Sequence, residues 1–462
     1  MPEVATGVVL PDAVRAEALE TARTILDRLA DDAVVSAAVA ATEKTTGHPV
    51  WHPTSLYSGP AGTALALTSA AQALPEEADQ WMAGARRSLR LMADGTRSAP
   101  VSSASMAAGT SGIALAVTEA AAVDPRYGRT LADLHQTLAK QVDELATAPG
   151  DALGFWHYDV NMGPAGILGH LTALPAGLAD PSARQAERAL VDMLVRLSGR
   201  GWEGWRIPRQ NYPLRPIEHK LYPYGYVDLG LAHGLPGPLS ALSRARLNGD
   251  RRPSVRSAIE VLAAQVIEAS RFDARGRVWP RLMPFDASGD IAPEMTEVAG
   301  PAYCYGSPGI CSALLDAADA LDDASIEAIA VEGFEAMALQ LLDDSGPHSP
   351  GLCHGFAGLL LISQKFSERP SCPVAQTTTA TLTEELLRSC DPEQPLMVRD
   401  YKPAEAGAPG SPLANTSTGA WINQPDLMDG AAGVASTLLS VATDTPANWS
   451  RALLVGGARR AS

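Results

Sequence analysis

Aromatic side chains are scarce in this chain: Phe, Trp and Tyr together make up 5% of 462 residues. Long Val/Ile/Thr-rich alternations are also scarce, which leaves little material for sheet. Cysteine is rare. Five residues, an odd number with no C-x-x-C pair, exclude a disulfide framework and a zinc ribbon and suit a reducing cytoplasm. Basic charge is in deficit, with 36 Lys and Arg against 52 Asp and Glu, a net charge of -16. No basic stripe breaks that balance, so nucleic acid is not the expected partner; a cationic peptide suits the field better. No uninterrupted apolar run approaches the roughly 18 residues of a membrane-spanning helix, and residues 1–12 have neither the basic start nor the apolar core of a signal peptide.

What the chain does have is Ala, Leu, Glu and Arg, the residues of helices, and enough hydrophobic side chains (46%) for a large core. A long period organises them. A Gly-x-x-Gly followed by a small-residue apolar run recurs seven times, at Gly59/Gly62, Gly109/Gly112, Gly163/Gly166, Gly234/Gly237, Gly306/Gly309, Gly355/Gly358 and Gly430/Gly433. The runs are apolar over most of their surface, as buried helices are. Amphipathic stretches alternate with them, at about 12–30, 76–94, 127–147, 181–199, 253–270, 324–343 and 374–390. Each repeat therefore reads as an outer amphipathic helix, a loop, then an inner buried helix. A linear solenoid needs polar end caps, and here the first and last inner runs are as apolar as the rest. The expected fold is all-α: an (α/α)7 toroid of about fourteen helices, a single domain over 1–462. Its long loops fall at about 200–233, 271–305 and 391–429. The first carries Trp202, Trp205, Tyr212, Tyr222, Tyr224 and Tyr226, as a peptide-binding rim or as a packed cover.

In such a fold the inner helices present their starting loops to one face, so residues just before the glycines converge. Cys304 stands two residues before Gly306, and Cys353 holds the same register before Gly355, followed by His354. Two thiols and an imidazole make a Cys2His set; three protein ligands leave one zinc position open, and thiolates favour zinc over magnesium or calcium. The alternative for Cys353-His354 is a buried Cys beside a turn-capping His. His233, directly before Gly234, has the place of a general acid–base or of a His that satisfies a backbone carbonyl. Asp159 orients His233 or the substrate, or serves a helix start through the dipole. His170, within an inner run, reads as a core histidine, and Cys311, Cys372 and Cys390 read as structural.

The motifs AHG-x-P-G, Y-C-Y-G and C-H-G, spread over seven Gly-x-x-Gly repeats from about 12 to 445, resemble the LanC family of lanthionine synthetase cyclases. The resemblance implies a toroid holding one Zn2+ per chain. It implies Cys304, Cys353 and His354 as metal ligands and His233 and Asp159 as acid–base residues, and it places Tyr305 on the family's tyrosine after the first zinc cysteine. The implied activity is closure of lanthionine and methyllanthionine rings: a peptide Cys thiolate adds to dehydroalanine or dehydrobutyrine, and a protein acid protonates the enolate. The implied partner is a dehydrated precursor peptide, leader plus core, made by a separate dehydratase. An exporter can complete the assembly, and the enzyme would be cytoplasmic or peripheral to a membrane biosynthetic complex. Two other readings share the residues: a non-catalytic scaffold, and addition of a small thiol such as glutathione. One departure stands out. Where the family often has Arg, four residues before the first zinc Cys, this chain has Gly300; Arg281 and Arg399 lie on neighbouring loops.

Overall fold

The computed structural model describes residues 10–147, 153–212, 216–292, 298–341, 349–402, 419–443, 445 and 448–457. The seven apolar runs are helices α3 (Pro60–Ala73), α5 (Thr110–Val123), α7 (Pro164–Ala173), α10 (Pro236–Leu247), α12 (Ser307–Leu321), α14 (Phe356–Ser367) and α16 (Ala431–Ala442). Nearly every side chain of α3, α5, α10 and α12 is buried, as runs apolar all round require. The amphipathic stretches are α1 (Asp12–Leu29), α4 (Ala78–Ser98), α6 (Gly128–Thr147), α8 (Pro181–Ser198), α11 (Pro253–Glu268), α13 (Ala324–Gln340) and α15 (Val374–Arg388). The remaining described helices are α2 (Asp32–Thr46) and the short α9 (Pro216–Leu221) and α17 (Asn448–Ala452). No described helix is long and apolar enough to cross a membrane.

The chain divides into two compact units: unit 1 is Met1–Ser102, Ala107–Leu131 and Pro347–Ala447, and unit 2 is Ser103–Met106, Ala132–Gly346 and Asn448–Ser462. In unit 1 the inner helices pack in the order α14, α16, α3, α5, so the last inner helix of the sequence lies against the first. In unit 2 the order is α7, α10, α12. The phase of the hairpins differs from the sequence expectation. Short connections join each inner helix to the outer helix after it, and short connections force antiparallel neighbours. Thus α4 packs on α3, α13 on α12 and α15 on α14, while α1, with no inner helix before it, packs on α16.

The glycine loops are stitched by backbone hydrogen bonds in one direction. In unit 1, Cys353 N–H donates to Met428 C=O (2.9 Å), Leu427 N–H to Tyr57 C=O (3.2 Å) and Leu56 N–H to Ala107 C=O (2.9 Å). In unit 2, Val160 N–H donates to Ala232 C=O (3.0 Å) and Ala232 N–H to Cys304 C=O (3.3 Å). Each acceptor lies two residues before its glycine, the register of both thiols. The glycines allow this close approach. At Gly166 a Cβ would run into the Val160 carbonyl, and Gly306 has φ 86, a backbone other residues rarely adopt.

Two of the long loops meet within unit 2. Strand β1 (Tyr226–Asp228) pairs antiparallel with β4 (Leu282–Pro284), and a hairpin, β2 (Arg271–Asp273) with β3 (Gly276–Val278), packs on α13. Trp205, Tyr212 and Tyr226, the last within β1 itself, are buried, as a packed cover requires, while Tyr224 is exposed. The third loop forms the hairpin β5 (Asp400–Lys402) with β6 (Ala420–Ile422); residues 403–418 of that loop lie outside the described residues.

Candidate active site and metal ligands

In unit 2 the loops before α7, α10 and α12 bring Asp159, His233 and Tyr305 together. Asp159 is fully buried and uses both oxygens. Oδ1 accepts the Met162 N–H at 2.8 Å, closing the turn into α7, and Oδ2 lies 2.8 Å from His233 Nδ1. Of the three roles that sequence left open for Asp159, helix-start acid and histidine partner are each matched by the contact of one oxygen. The carboxylate fixes the imidazole with its proton on Nδ1. Nε2 then faces Asn161 Nδ2 at 3.2 Å, and the Phe155 ring meets the imidazole edge-on at 5.0 Å.

Burial alone would depress the His233 pKa. The hydrogen bond that Nδ1–H donates to Asp159 and the charges of Asp159 and Asp228 outweigh it, and the net shift is upward. Burial also raises Asp159, against the pull of His233. Both shifts mean that the pair holds its protons to higher pH than either group alone, which suits a proton donor.

Beside this pair, the Tyr305 hydroxyl donates to Asp228 Oδ2 at 3.1 Å, and Asp228 Oδ1 accepts the Gly230 N–H at 2.7 Å. Burial raises Asp228 and pushes the Tyr305 hydroxyl well above the usual phenol range, so it stays a donor. The Tyr305 ring centre lies 6.2 Å from that of His233, and Arg281 stacks its guanidinium over the Tyr305 ring at 4.7 Å. Cys304, next in the chain, is buried. Gly300 has open space around it, and its carbonyl packs against Gly306.

In unit 1, Cys353 and His354 lie at the mouth of α14. Cys353 Sγ and His354 Nε2 are 3.9 Å apart. Two ligands at tetrahedral angles on one zinc sit about 3.5 Å apart, given bonds of about 2.3 Å to sulfur and about 2.0 Å to nitrogen. The pair therefore fits two corners of a zinc site, with side chains on the irregular start of a helix rather than diverging along it. His354 turns its other nitrogen to Asp429: Nδ1 to Oδ1 is 3.9 Å, too long for a hydrogen bond but close enough for charge to act. Lys402 Nζ lies 2.7 Å from both Asp429 Oδ2 and Asp400 Oδ2. Asp426 Oδ1 accepts the Asp429 N–H at 2.9 Å, the same cap that Asp159 makes in its own repeat. Burial and the Asp429 charge push Asp426 up to about 8, whereas His354 and Lys402 hold Asp429 ionised, below the usual carboxylate range, against burial.

The residues set aside from sequence behave as expected. Cys311 and Cys372 are buried, and burial pushes the Cys390 thiol up to about 12. His170 is fully buried, neither ring nitrogen has a hydrogen-bond partner among the described residues, and burial pulls its pKa down to about 3. Sequence reasoning missed Asn161, Asp228 and Asp429. Asp429 had a signal, since it occupies the position before the first glycine that His233, Tyr305 and His354 occupy in their repeats. Asp228 had none, because only the β1–β4 ribbon puts it under Tyr305.

The profile of the Lanthionine synthetase C-like protein family matches residues 50–454. The nisin biosynthesis protein NisC of Lactococcus lactis subsp. lactis is 26% identical over 273 residues, 57% of this chain and 62% of that protein, so the chain spans under two thirds of this relative's length. The solved structure of a nisin cyclase superposes with a TM-score of 0.68 at 19% identity, over 91% of this chain and 96% of that one, which bears out the expected fold class. With most of its length matched, this chain is a member of the lanthionine synthetase C-like family.

Proposed function

We propose that this protein is a zinc-dependent lanthipeptide cyclase, a single domain over residues 1–462. Its substrate is a dehydrated precursor peptide, and it closes thioether rings by adding Cys thiols to dehydroalanine or dehydrobutyrine. The observation that carries this reading is the Asp159–His233 pair at 2.8 Å, buried beside Tyr305 on the loop that holds Cys304. Cys304, Cys353 and His354 would hold one zinc, with the fourth position left to the substrate thiol. When bound, the metal lowers the pKa of that thiol while two protein thiolates keep it electron-rich and nucleophilic.

The chain's own residues do the rest. Addition leaves an enolate, and its α-carbon must take a proton. His233 donates from Nε2, and Asp159 holds Nδ1 and stabilises the charged imidazole. Tyr305 and Asp228 hold each other beside His233. Asp159 is wholly buried and His233 mostly so, which strengthens each electrostatic contact. The net acidity of the chain suits a cationic peptide. A separate dehydratase would supply the substrate and an exporter could remove the product; the cytoplasm is the expected site.

The test is incubation with a dehydrated precursor peptide. Free thiol should disappear with no change in peptide mass. A thiol count that stays constant would sink the reading, and a mass gain equal to glutathione, when glutathione is added, would replace it with small-thiol addition.

A further inference from the structure

The pocket of unit 2 carries an excess of acid. Asp159 and Asp228 are 0% and 4% exposed, and the imidazole beside them is already engaged by Asp159. The guanidinium of Arg281 sits over Tyr305, the hydrogen-bond partner of Asp228, its Cζ 4.7 Å above the ring centre. This placement is built into the fold. The Arg281 carbonyl accepts the Leu229 N–H at 3.1 Å, and the strand that follows, β4, pairs with β1, so Arg281 is fixed to the same ribbon that carries Asp228. Its charge acts on two groups of the cluster: it favours ionised Asp228 and opposes the protonation of His233.

No role described so far uses this cation. His233 and Asp159 handle the proton; Tyr305 and Asp228 are paired with each other. Thiolate addition also moves an electron pair. As the C–S bond forms at the β-carbon of the dehydrated residue, its α–β π pair shifts onto the carbonyl oxygen of that residue. Negative charge stays on that oxygen until the α-carbon is protonated. The proton lost by the thiol is matched by the one gained at carbon, so nothing else is consumed. Beside two buried carboxylates an unopposed oxyanion would be repelled, and a preorganised cation removes that cost.

We propose that Arg281 is that cation: it binds the carbonyl oxygen of the dehydrated residue and carries the charge that builds there during addition. The proposal rests on the cyclase reading of the site. The side chain comes from the β1–β4 ribbon and not from the segment before Cys304, where Gly300 has no side chain to offer.

Arg281→Met and Arg281→Lys would be compared with the wild type in ring closure on a dehydrated precursor, zinc content, and an NMR titration of His233 Nε2. The groups that face His233 and set its titration are Asp159, Asp228 and Arg281. Arg281→Met should lower kcat/KM by about 100-fold or more, the usual effect of losing an oxyanion donor, with zinc stoichiometry unchanged. It should also move the His233 titration to higher pH, because a positive neighbour is gone. Arg281→Lys keeps the charge and should fall in between. Turnover of Arg281→Met within about threefold of wild type would overturn the proposal and leave the cyclase reading intact. So would equal losses in the Met and Lys variants with His233 unmoved, or loss of zinc from both. A wild-type protein that closes no ring would overturn the cyclase reading itself, and this proposal with it.

Discussion

Replacing Asp159 by Asn removes one charge and very little else. Asn keeps a carbonyl oxygen where Asp159 Oδ1 now accepts the Met162 N–H at 2.8 Å, so the turn into α7 survives. The change falls on the other oxygen, 2.8 Å from His233 Nδ1. An amide nitrogen there cannot accept, so the imidazole must turn its proton to Nε2 or lose the contact. Both influences that raise the His233 pKa through Asp159 disappear, and burial, which lowers it, remains. His233 should therefore titrate lower than in the wild type, although the Asp228 charge still raises it, and less of the imidazolium remains to donate at neutral pH. General acid–base catalysis contributes about 10²–10⁴ to rate, so ring closure should slow by that factor, about 3–5 kcal/mol of barrier. Stability should change little, whereas Asp159→Ala should lose an additional 1 kcal/mol or so with the cap. Single-turnover ring closure, zinc content and an NMR titration of His233 together decide. A rate within about threefold of wild type, or a His233 titration that does not move down, would refute the assignment of His233 as the proton donor.

Other consequences follow from the same geometry. Cys304→Ala and Cys353→Ala should each fail to retain stoichiometric zinc after dialysis against a weak chelator, while His233→Ala should keep the metal and lose turnover; full zinc in Cys304→Ala would remove that residue from the ligand set. Glu119, on α5, is fully buried against Gln72 and its pKa is pushed by burial from the usual 4.5 up to about 7. A carboxyl raised in the folded state stabilises below its unfolded pKa and loses that contribution as pH rises to about 7, some 3 kcal/mol in all. Glu119→Gln should therefore raise the denaturation midpoint at pH 8 and change it little at pH 4; equal midpoints at pH 8 would show that the buried carboxyl is not under this strain. Gly166→Ala should lower stability by about 1–3 kcal/mol, since its Cβ meets the Val160 carbonyl, and thermal unfolding would reveal an unchanged Tm if the loop can give way.

Much of the fold was legible because two periodicities coexist in the chain. Runs such as 60–73 are apolar all round, and stretches such as 78–98 are apolar on one side, so most inner and outer helices separate by pattern alone. The pairing of helices was read with the wrong phase. Periodicity says where a helix is, not which neighbour it packs on; that depends on connection length, and α1 shows it by packing on α16 at the far end of the sequence. Of the site, the residues beside the glycines were visible by register. His233, Cys304, Cys353 and His354 all stand one or two positions before a glycine that starts a helix.

The amino-acid sequence by itself determined the helical class, the seven loops and the types of side chain they offer, because these follow from spacing along one chain. Tertiary structure alone decided what those side chains do for one another. It gave Asp159 two partners, one per oxygen, and hung Asp228 and Arg281 on a ribbon formed by strands more than fifty residues apart in sequence. Arg281 stands over the ring of Tyr305 from that ribbon, a placement that no spacing along the chain announces. Pocket electrostatics depend on distance and burial, and neither is a property of neighbouring positions in a chain.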